Sequence, residues 1–364
     1  MKIGIDISQT AYKGTGVARF TRGLIDAIIT YGGGHEWVFF YSSLRSPINN
    51  DLKRLIQKNN QSLITVPIPP TVLQFLWNTV HSIPIELFTG KLDWLITSDW
   101  TEPPSKAKKA TIIHDLTVFQ HPQTVHPHIL STQKQRLAWV SKESSLIITD
   151  SKTTTSDVKH YFPELRAHVE TIYPGVTITK SSDEVLTRVK KTYNLTKPFV
   201  LSVGKLEPRK NIKGLIEAFN AANDGSYELI IIGPKGWDQS YASYDLKHTR
   251  IIGFVTDDEL HAFYELCSFF AYPSFWEGFG FPVVEAMLHH KAVVTSNTSS
   301  LAEVGAKGAH LCDPHSVQDI TSALRTLMSD TSKRNVLAEE GYIHAQQFSW
   351  KRYYEKLMDA LKSI

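Results

Sequence analysis

The segment Phe275-Trp276-Glu277-Gly278-Phe279-Gly280-Phe281-Pro282-Val283-Val284-Glu285-Ala286 sets two carboxylates on either side of a glycine-rich turn, with seven residues between them. Gly278 and Gly280 let the backbone approach a ligand closely, because no Cβ stands in the way. Pro282 suits the first turn of a helix, where its missing N–H costs little. A helix starting there points its free N–H groups and positive dipole end at the turn, so a phosphate beside Gly278, Phe279, Gly280 and Phe281 is well placed. Glu285, read as lying in the first helical turn, is suited to accept hydrogen bonds from a vicinal diol such as ribose. Glu277, before the turn, is suited to face a sugar. Two glutamates at this spacing are more often solvated loop residues. The Gly-x-Gly-x-Pro between them and the apolar strand before them favour a ligand site.

The second chemical segment is Val203-Gly204-Lys205-Leu206-Glu207-Pro208-Arg209-Lys210-Asn211. Lys205, Arg209 and Lys210 crowd a turn at the carboxyl end of a strand, where open parallel sheets bind ligands. Cations there neutralise a departing diphosphate as its bond to a sugar breaks. The sequence has no Asp-x-Asp, the carboxylate pattern that grips a diphosphate through a metal. The expectation is therefore a site without a metal and without a permanently bound cofactor, in which Arg209 and Lys210 take the cation's place. His114 ends the strand-like Thr111-Ile112-Ile113, where an imidazole can bond a sugar hydroxyl or polarise an incoming acceptor. A lone histidine at a strand end is more often a plain surface residue. His121, His126 and His128 lie in a Pro-rich loop with no nearby Cys or Glu partner, which argues against a metal site. Gly14-Thr15-Gly16-Val17-Ala18-Arg19 follows the first strand. Arg19 stands where a dinucleotide fingerprint needs its third glycine, and the second strand ends in Ser42 rather than an acid. A nicotinamide dehydrogenase is disfavoured, and Gly14 and Gly16 read instead as a loop closing over a diphosphate or sugar.

These groups need a scaffold, and the sequence provides one twice. Strand-like runs at Ile3–Ile7, Trp37–Tyr41, Ser62–Val66, Trp94–Thr97, Ala110–Ile113 and Leu146–Thr149 alternate with helical stretches. The series restarts at Phe199–Val203, Leu229–Ile232, Arg250–Ile252, Phe269–Tyr272, Ala292–Thr295 and His310–Cys312. Alternation of this kind predicts parallel sheets covered by helices. The fold class expected is α/β, two Rossmann-like domains facing an interdomain cleft. Residues 1–176 form an N-terminal domain, 177–197 a charged linker with one short helix, 198–347 a second domain and 348–364 a last helix. The linker near Tyr173–Lys197 is expected to act as a hinge.

With 364 residues, 42% hydrophobic and 21% charged, the chain has material for two cores. A formal net charge of +3 gives no support to a nucleic-acid partner. Cys267 and Cys312 sit in apolar sequence and read as buried free thiols. The N-terminus reads as a strand rather than a signal peptide, and no apolar run reaches the roughly 18–20 residues that span a bilayer. A cytoplasmic protein is expected. Thr71–Trp77 reads as a buried helix in the first instance. Its alternative, an exposed apolar face, would put the protein in peripheral contact with the inner face of the cell membrane.

Together these segments resemble glycosyltransferase family 4, the retaining family with the GT-B fold. The resemblance rests on the basic Gly204–Asn211 turn, the Glu277/Glu285 pair and His114-Asp115-Leu116, in that family's order. Tyr173-Pro174-Gly175-Val176 and Ser300-Leu301-Ala302-Glu303-Val304 also resemble family stretches, as does the segment around Trp350–Leu361, which implies that residues 348–364 return to the first domain, that 1–176 is the acceptor side and that 198–347 bind the nucleotide sugar. The resemblance implies that Arg209 and Lys210 hold the diphosphate, with Lys205 where many relatives carry arginine. It implies that Glu285 binds ribose, Glu277 the donor sugar, His114 the sugar near the reacting carbon, and Gly16 the phosphates. The activity implied is transfer of a hexose from a nucleotide diphosphate sugar to a hydroxyl of a glycan or lipid-linked acceptor. GDP-mannose is the donor suggested. A GT-B phosphorylase or epimerase and a catalytically silent sugar-nucleotide binder are the alternatives.

Overall fold

The computed structural model describes residues 1–12, 14–236 and 246–364. The chain divides into two compact units: residues 1–175 with 349–364, and residues 176–348.

The first unit is built on a parallel sheet of β1 (Lys2–Asp6), β2 (Glu36–Ser42), β3 (Ser62–Val66), β4 (Trp94–Ser98), β5 (Lys108–Ile113), β6 (Leu146–Thr149) and β7 (His168–Thr171). Their spatial order is β3-β2-β1-β4-β5-β6-β7. β4 and β6 are buried along their whole length, as strands covered on both faces must be. Helix Gly16–Tyr31 covers one face through Phe20, Leu24, Ile25 and Ile28, spaced so that they share one side. Thr15 caps it, its hydroxyl accepting from Ala18 N at 3.2 Å. Helix Trp350–Ser363 packs on that helix. Gly23 makes room for it, since a Cβ there would lie 2.2 Å from the Trp350 indole. Phe20 meets the Trp350 and Tyr353 rings edge-on at 5.4 and 5.5 Å.

The second unit repeats the plan with β8 (Phe199–Val203), β9 (Glu228–Ile232), β10 (Thr249–Ile252), β11 (Phe269–Tyr272), β12 (Val293–Ser296) and β13 (Ala309–Cys312). The order is β10-β9-β8-β11-β12-β13, again parallel. Residues 176–197 group with this unit and include helix Asp183–Thr192, capped by Ser182. Burial pushes the thiols of Cys267 and Cys312 up to about 12, so both are inert.

In each sheet the strand order reverses once, between β1 and β4 and between β8 and β11. Open parallel sheets take ligands beyond the carboxyl ends of the strands at such a point.

Three local features differ from the sequence reading. β7 is an additional strand, half-buried at the sheet edge, where alternation is weak. The sequence from Val317 through Lys362, which reads as helical with one interruption near Phe348–Trp350, also breaks at Asp330, whose carboxylate caps the helix Thr331–Ala345 by accepting from Lys333 N at 2.8 Å. Thr71–Trp77 is neither wholly buried nor wholly exposed: Leu73 and Trp77 are in the core, while Val72 and Phe75 face solvent. No described helix is long and apolar enough to cross a membrane.

Candidate active site

The two chemical segments of the second unit lie at its reversal point. The basic turn follows β8 and the glutamate turn follows β11, and these two strands are neighbours. The turns are also tied directly. Phe275 N donates to Arg209 O at 2.9 Å, and the buried Asn211 amide donates to Pro273 O and Pro314 O at 3.1 and 2.8 Å. Asn211 is in the left-handed conformation, φ 54°, which asparagine tolerates better than most residues.

This brings Arg209, Lys210 and Glu277 together. Arg209 Nη1 lies 2.6 Å from Glu277 Oε2 and Lys210 Nζ lies 2.7 Å from Oε1. Tyr272, at the end of β11, donates its hydroxyl to Glu277 Oε1 at 3.0 Å and accepts from Lys210 Nζ. Burial alone would push the Glu277 carboxyl up, but Arg209 and Lys210 outweigh it and hold it at about 2. Burial pulls the Lys210 ammonium down by more than Glu277 lifts it. Tyr272 is pushed well above its ordinary value, by burial and then by Glu277. The cluster is one carboxylate clamped by two cations and a phenol, in a place from which water is largely excluded. Lys205 stands further out, half-exposed and 3.1 Å from Glu207. Gly204 sits against the aliphatic stem of Lys210, a Cβ there falling 3.5 Å from its Cε.

The glycine-rich turn is held by a serine hydroxyl. Ser300 Oγ donates to the carbonyls of Glu277 and Phe279 at 2.8 and 3.1 Å. Gly280, φ 101°, caps helix Phe281–Leu288 and lies against Leu301, which occupies the space of a Cβ. Gly278 is half-buried in the turn. Phe279 packs its buried ring on Phe281 and Phe348, so this side chain belongs to the core. Glu285 is the fifth residue of its helix and lies in the second turn, not the first. It is buried, and Tyr264 OH donates to its Oε2 at 2.9 Å. Tyr264 in turn stacks on His289, which burial pulls down to about 4 and keeps neutral.

In the first unit, His114 follows β5 and Asp150 follows β6, the adjacent strand. Nδ1 of His114 and Oδ2 of Asp150 are 2.7 Å apart. The ring lies edge-on to Phe20 at 4.6 Å, and Nε2 is covered and has no hydrogen-bond partner. Burial lowers His114, yet the carboxylates of Asp150, Asp99 and Asp115 outweigh it, and the net shift is upward. Gly16 begins the first helix with nothing within 4 Å of a notional Cβ, and Gly14 precedes it in the left-handed region, φ 79°. The structure thus gathers Arg209, Lys210, Glu277 and the Gly278–Phe281 turn, with Gly204 alongside. His114, Gly14 and Gly16 belong to the other unit. The sequence did not single out Tyr272, Tyr264 or Asp150, and it named Ser300 only as part of a family-like stretch. Among the described residues no group of three or more His, Cys, Asp or Glu is arranged to hold a metal ion.

Comparison with known proteins gives this geometry a context. Residues 185–344 match the model of the glycosyl transferases group 1 family. The chain is 30% identical to O-antigen chain mannosyltransferase B of Escherichia coli, over 72% of this chain and 72% of that protein. It is 27% identical to the serotype-specific mannosyltransferase WbdA of Escherichia coli, over 96% of this chain but 46% of that longer protein. Among solved structures it resembles Anabaena HepE in complex with UDP and glucose, with a TM-score of 0.70, 19% identity and 100% coverage of both chains. Two parallel sheets of this order, the family match and the bacterial relatives agree: the chain belongs to the group 1 glycosyltransferases and has their GT-B fold.

Proposed function

We propose that the protein transfers a hexose, mannose in the first instance, from a nucleotide diphosphate sugar to a glycan or lipid-linked hydroxyl, with retention of anomeric configuration. The observation that carries this reading is the Arg209–Glu277–Lys210 cluster at the reversal point of the second sheet. Two cations clamped on one buried carboxylate are two cations ready for a diphosphate, with no need of a metal. In the free protein Glu277 holds them in place. On donor binding they turn to the diphosphate, and Glu277 is released to accept hydrogen bonds from the sugar hydroxyls. Lys205 and the backbone of Gly204, Gly278, Phe279, Gly280 and Phe281 complete the phosphate cradle. Glu285, oriented by Tyr264, takes the ribose diol. Gly16, with Gly14 just before it, leaves the start of the first helix open to a ligand, and His114 Nε2, covered and without a partner in the free protein, is the ring nitrogen left for a sugar hydroxyl because Asp150 occupies Nδ1.

The chemical step breaks the bond between C1 of the sugar and the β-phosphate oxygen and forms one between C1 and the acceptor oxygen on the same face. The acceptor's proton passes to the departing phosphate. Arg209 and Lys210 stabilise the charge that develops there. Mannose is favoured by the names of the two bacterial relatives, and the UDP complex of HepE makes UDP-sugars the necessary comparison.

A thermal-shift series across nucleoside diphosphates and their sugars tests the donor, since a ligand that binds only the native state raises its stability. GDP and GDP-mannose are expected to give the largest shifts. Proton NMR of the first product formed then reads the anomeric configuration. A larger shift with UDP-sugars overturns the donor assignment, and an inverted product overturns the mechanism.

A further inference from the structure

Strand β11 reads Phe269-Phe270-Ala271-Tyr272 and is buried along its whole length. A phenylalanine at its last position would fill the same space. The hydroxyl of Tyr272 is therefore a polar atom added at the carboxyl end of a core strand, where it needs partners. It has two. It donates to Glu277 Oε1 at 3.0 Å and accepts from Lys210 Nζ, which itself lies 2.7 Å from Oε1 and 5.0 Å from the centre of the phenol ring. The ring is fixed in place. It stacks on Phe270 at 5.8 Å and lies against Gly204, where a Cβ would meet its Cε2 at 3.7 Å. Its backbone pairs with Thr295 of β12, whose hydroxyl donates to Tyr272 O at 2.9 Å.

The three groups on the Glu277 carboxylate thus differ in kind. Arg209 and Lys210 are long, half-buried side chains on the short turn Pro208–Lys210, able to swing towards a diphosphate. Tyr272 sits on a strand and cannot follow them. The charged groups that face Glu277 are Arg209 and Lys210, with Glu207 behind them, 3.7 Å from Arg209. Once the two cations turn away, burial is left acting on the carboxylate, and burial is the largest single influence on it. A carboxylate so placed takes up a proton or rotates away unless a donor stays with it. The phenol stays. It also keeps its proton, because burial and then Glu277 hold it well above the ordinary tyrosine value.

A second group nearby has no evident task in the free protein. Ser274 is fully buried, and among the described residues its Oγ has no hydrogen-bond partner. It is nevertheless close enough to the Tyr272 hydroxyl to bear on its proton. In the free protein Lys210 donates to that phenol oxygen. When Lys210 leaves, the phenol oxygen lacks a donor and Ser274 lacks an acceptor, and each supplies what the other needs. A chain of donors from Ser274 to Tyr272 to Glu277 then closes, each bond strengthening the next. We infer that Tyr272 is a positioning residue for the donor sugar: it keeps hold of Glu277 Oε1 while Arg209 and Lys210 turn to the diphosphate, Ser274 replaces Lys210 at its oxygen, and Glu277 Oε2 is presented to the hexose hydroxyls.

The inference rests on the transferase reading for the words donor sugar, but its first test needs no sugar. The full chain, labelled with carbon-13 at the glutamate carboxyls, would be titrated by NMR, free and saturated with GDP or UDP. Glu277→Gln identifies the Glu277 signal by its loss. Tyr272→Phe keeps the stacked ring and removes only the hydroxyl. With nucleoside diphosphate bound, the Glu277 midpoint in this variant is expected to lie about one pH unit or more above the parent's, and with the site free the difference should be smaller. Ser274→Ala should raise the midpoint only when nucleoside diphosphate is bound, with a melting temperature no lower than the parent's. Both variants should bind nucleoside diphosphate as the parent does. In Tyr272→Phe the extra affinity of the nucleotide sugar over the nucleoside diphosphate should fall about tenfold. The acid limb of kcat, which reports the donor-bound state, should move to higher pH. A parent-like Glu277 midpoint in the nucleoside diphosphate complex overturns the role of Tyr272, or of Ser274 in its own variant. So does an equal loss of affinity for nucleoside diphosphate and nucleotide sugar, the pattern of damage to the fold. Failure of the transferase reading shows differently: the Glu277 titration still separates Tyr272→Phe from the parent, but no donor gives up its sugar.

Discussion

At the scale of single residues, the site is a set of charges held away from their ordinary behaviour. His114 is raised because three carboxylates outweigh its burial. The stabilisation from its pairing with Asp150 is therefore complete below about 6.5, the unfolded value, and fades as pH rises through the higher folded value. Histidine NMR should show its midpoint above 6.5, and Asp150→Asn should bring the midpoint down, with burial then the larger influence. Glu277 has the opposite sign. It is depressed to about 2, so the stability it confers is present above the usual glutamate range and is lost as pH falls through 2. Acid unfolding followed by fluorescence should lose part of its pH dependence in Glu277→Gln. The same variant should lose transfer by roughly 100-fold or more, read as kcat/KM with the donor found by thermal shift. The residue types Glu277, Arg209 and Lys210 were legible because their spacing is unusual. Tyr272 and Asp150 were not, because a tyrosine or aspartate at a strand end carries no spacing signal until the neighbouring strand is known.

At the scale of elements, the turns matter more than the strands. The glycines illustrate two opposite constraints. A Cβ on Gly280 would fall 2.6 Å from Leu301 Cδ2, at φ 101°, so Gly280→Ala should destabilise the protein by about 1–3 kcal/mol in urea titration. Gly16 has nothing within 4 Å, so Gly16→Ala should leave the melting temperature nearly unchanged or raise it slightly. If a diphosphate comes close to that backbone, the same substitution weakens donor binding while stability holds. Unchanged donor affinity would remove Gly16 from the phosphate contacts. The strands of both sheets were legible as short apolar runs, because parallel strands buried on both faces need no alternation. β7 was not, since an edge strand reads His168-Val169-Glu170-Thr171 and looks like loop. Glu285 was placed a turn too early, because sequence marks a helix start by its proline and the helix in fact opens one residue sooner, at Phe281.

At the scale of the whole molecule, charge compensation by side chains predicts that activity survives excess chelator. Loss on chelation with recovery on adding magnesium or manganese would show that a metal shares the diphosphate with Arg209 and Lys210. The same scale governs the last helix. Trp350 fills the space left open by Gly23 and Gly175, and Trp350→Ala should cost about 3–5 kcal/mol, read as a lower unfolding midpoint by circular dichroism. That helix belongs with residues 1–175 although residues 176–348 are translated before it. Order of synthesis and order of completion therefore run opposite ways. On the ribosome, Phe20 and the glycines beneath Trp350 wait uncovered while the entire second unit emerges and acquires its core. The half made first is the half finished last.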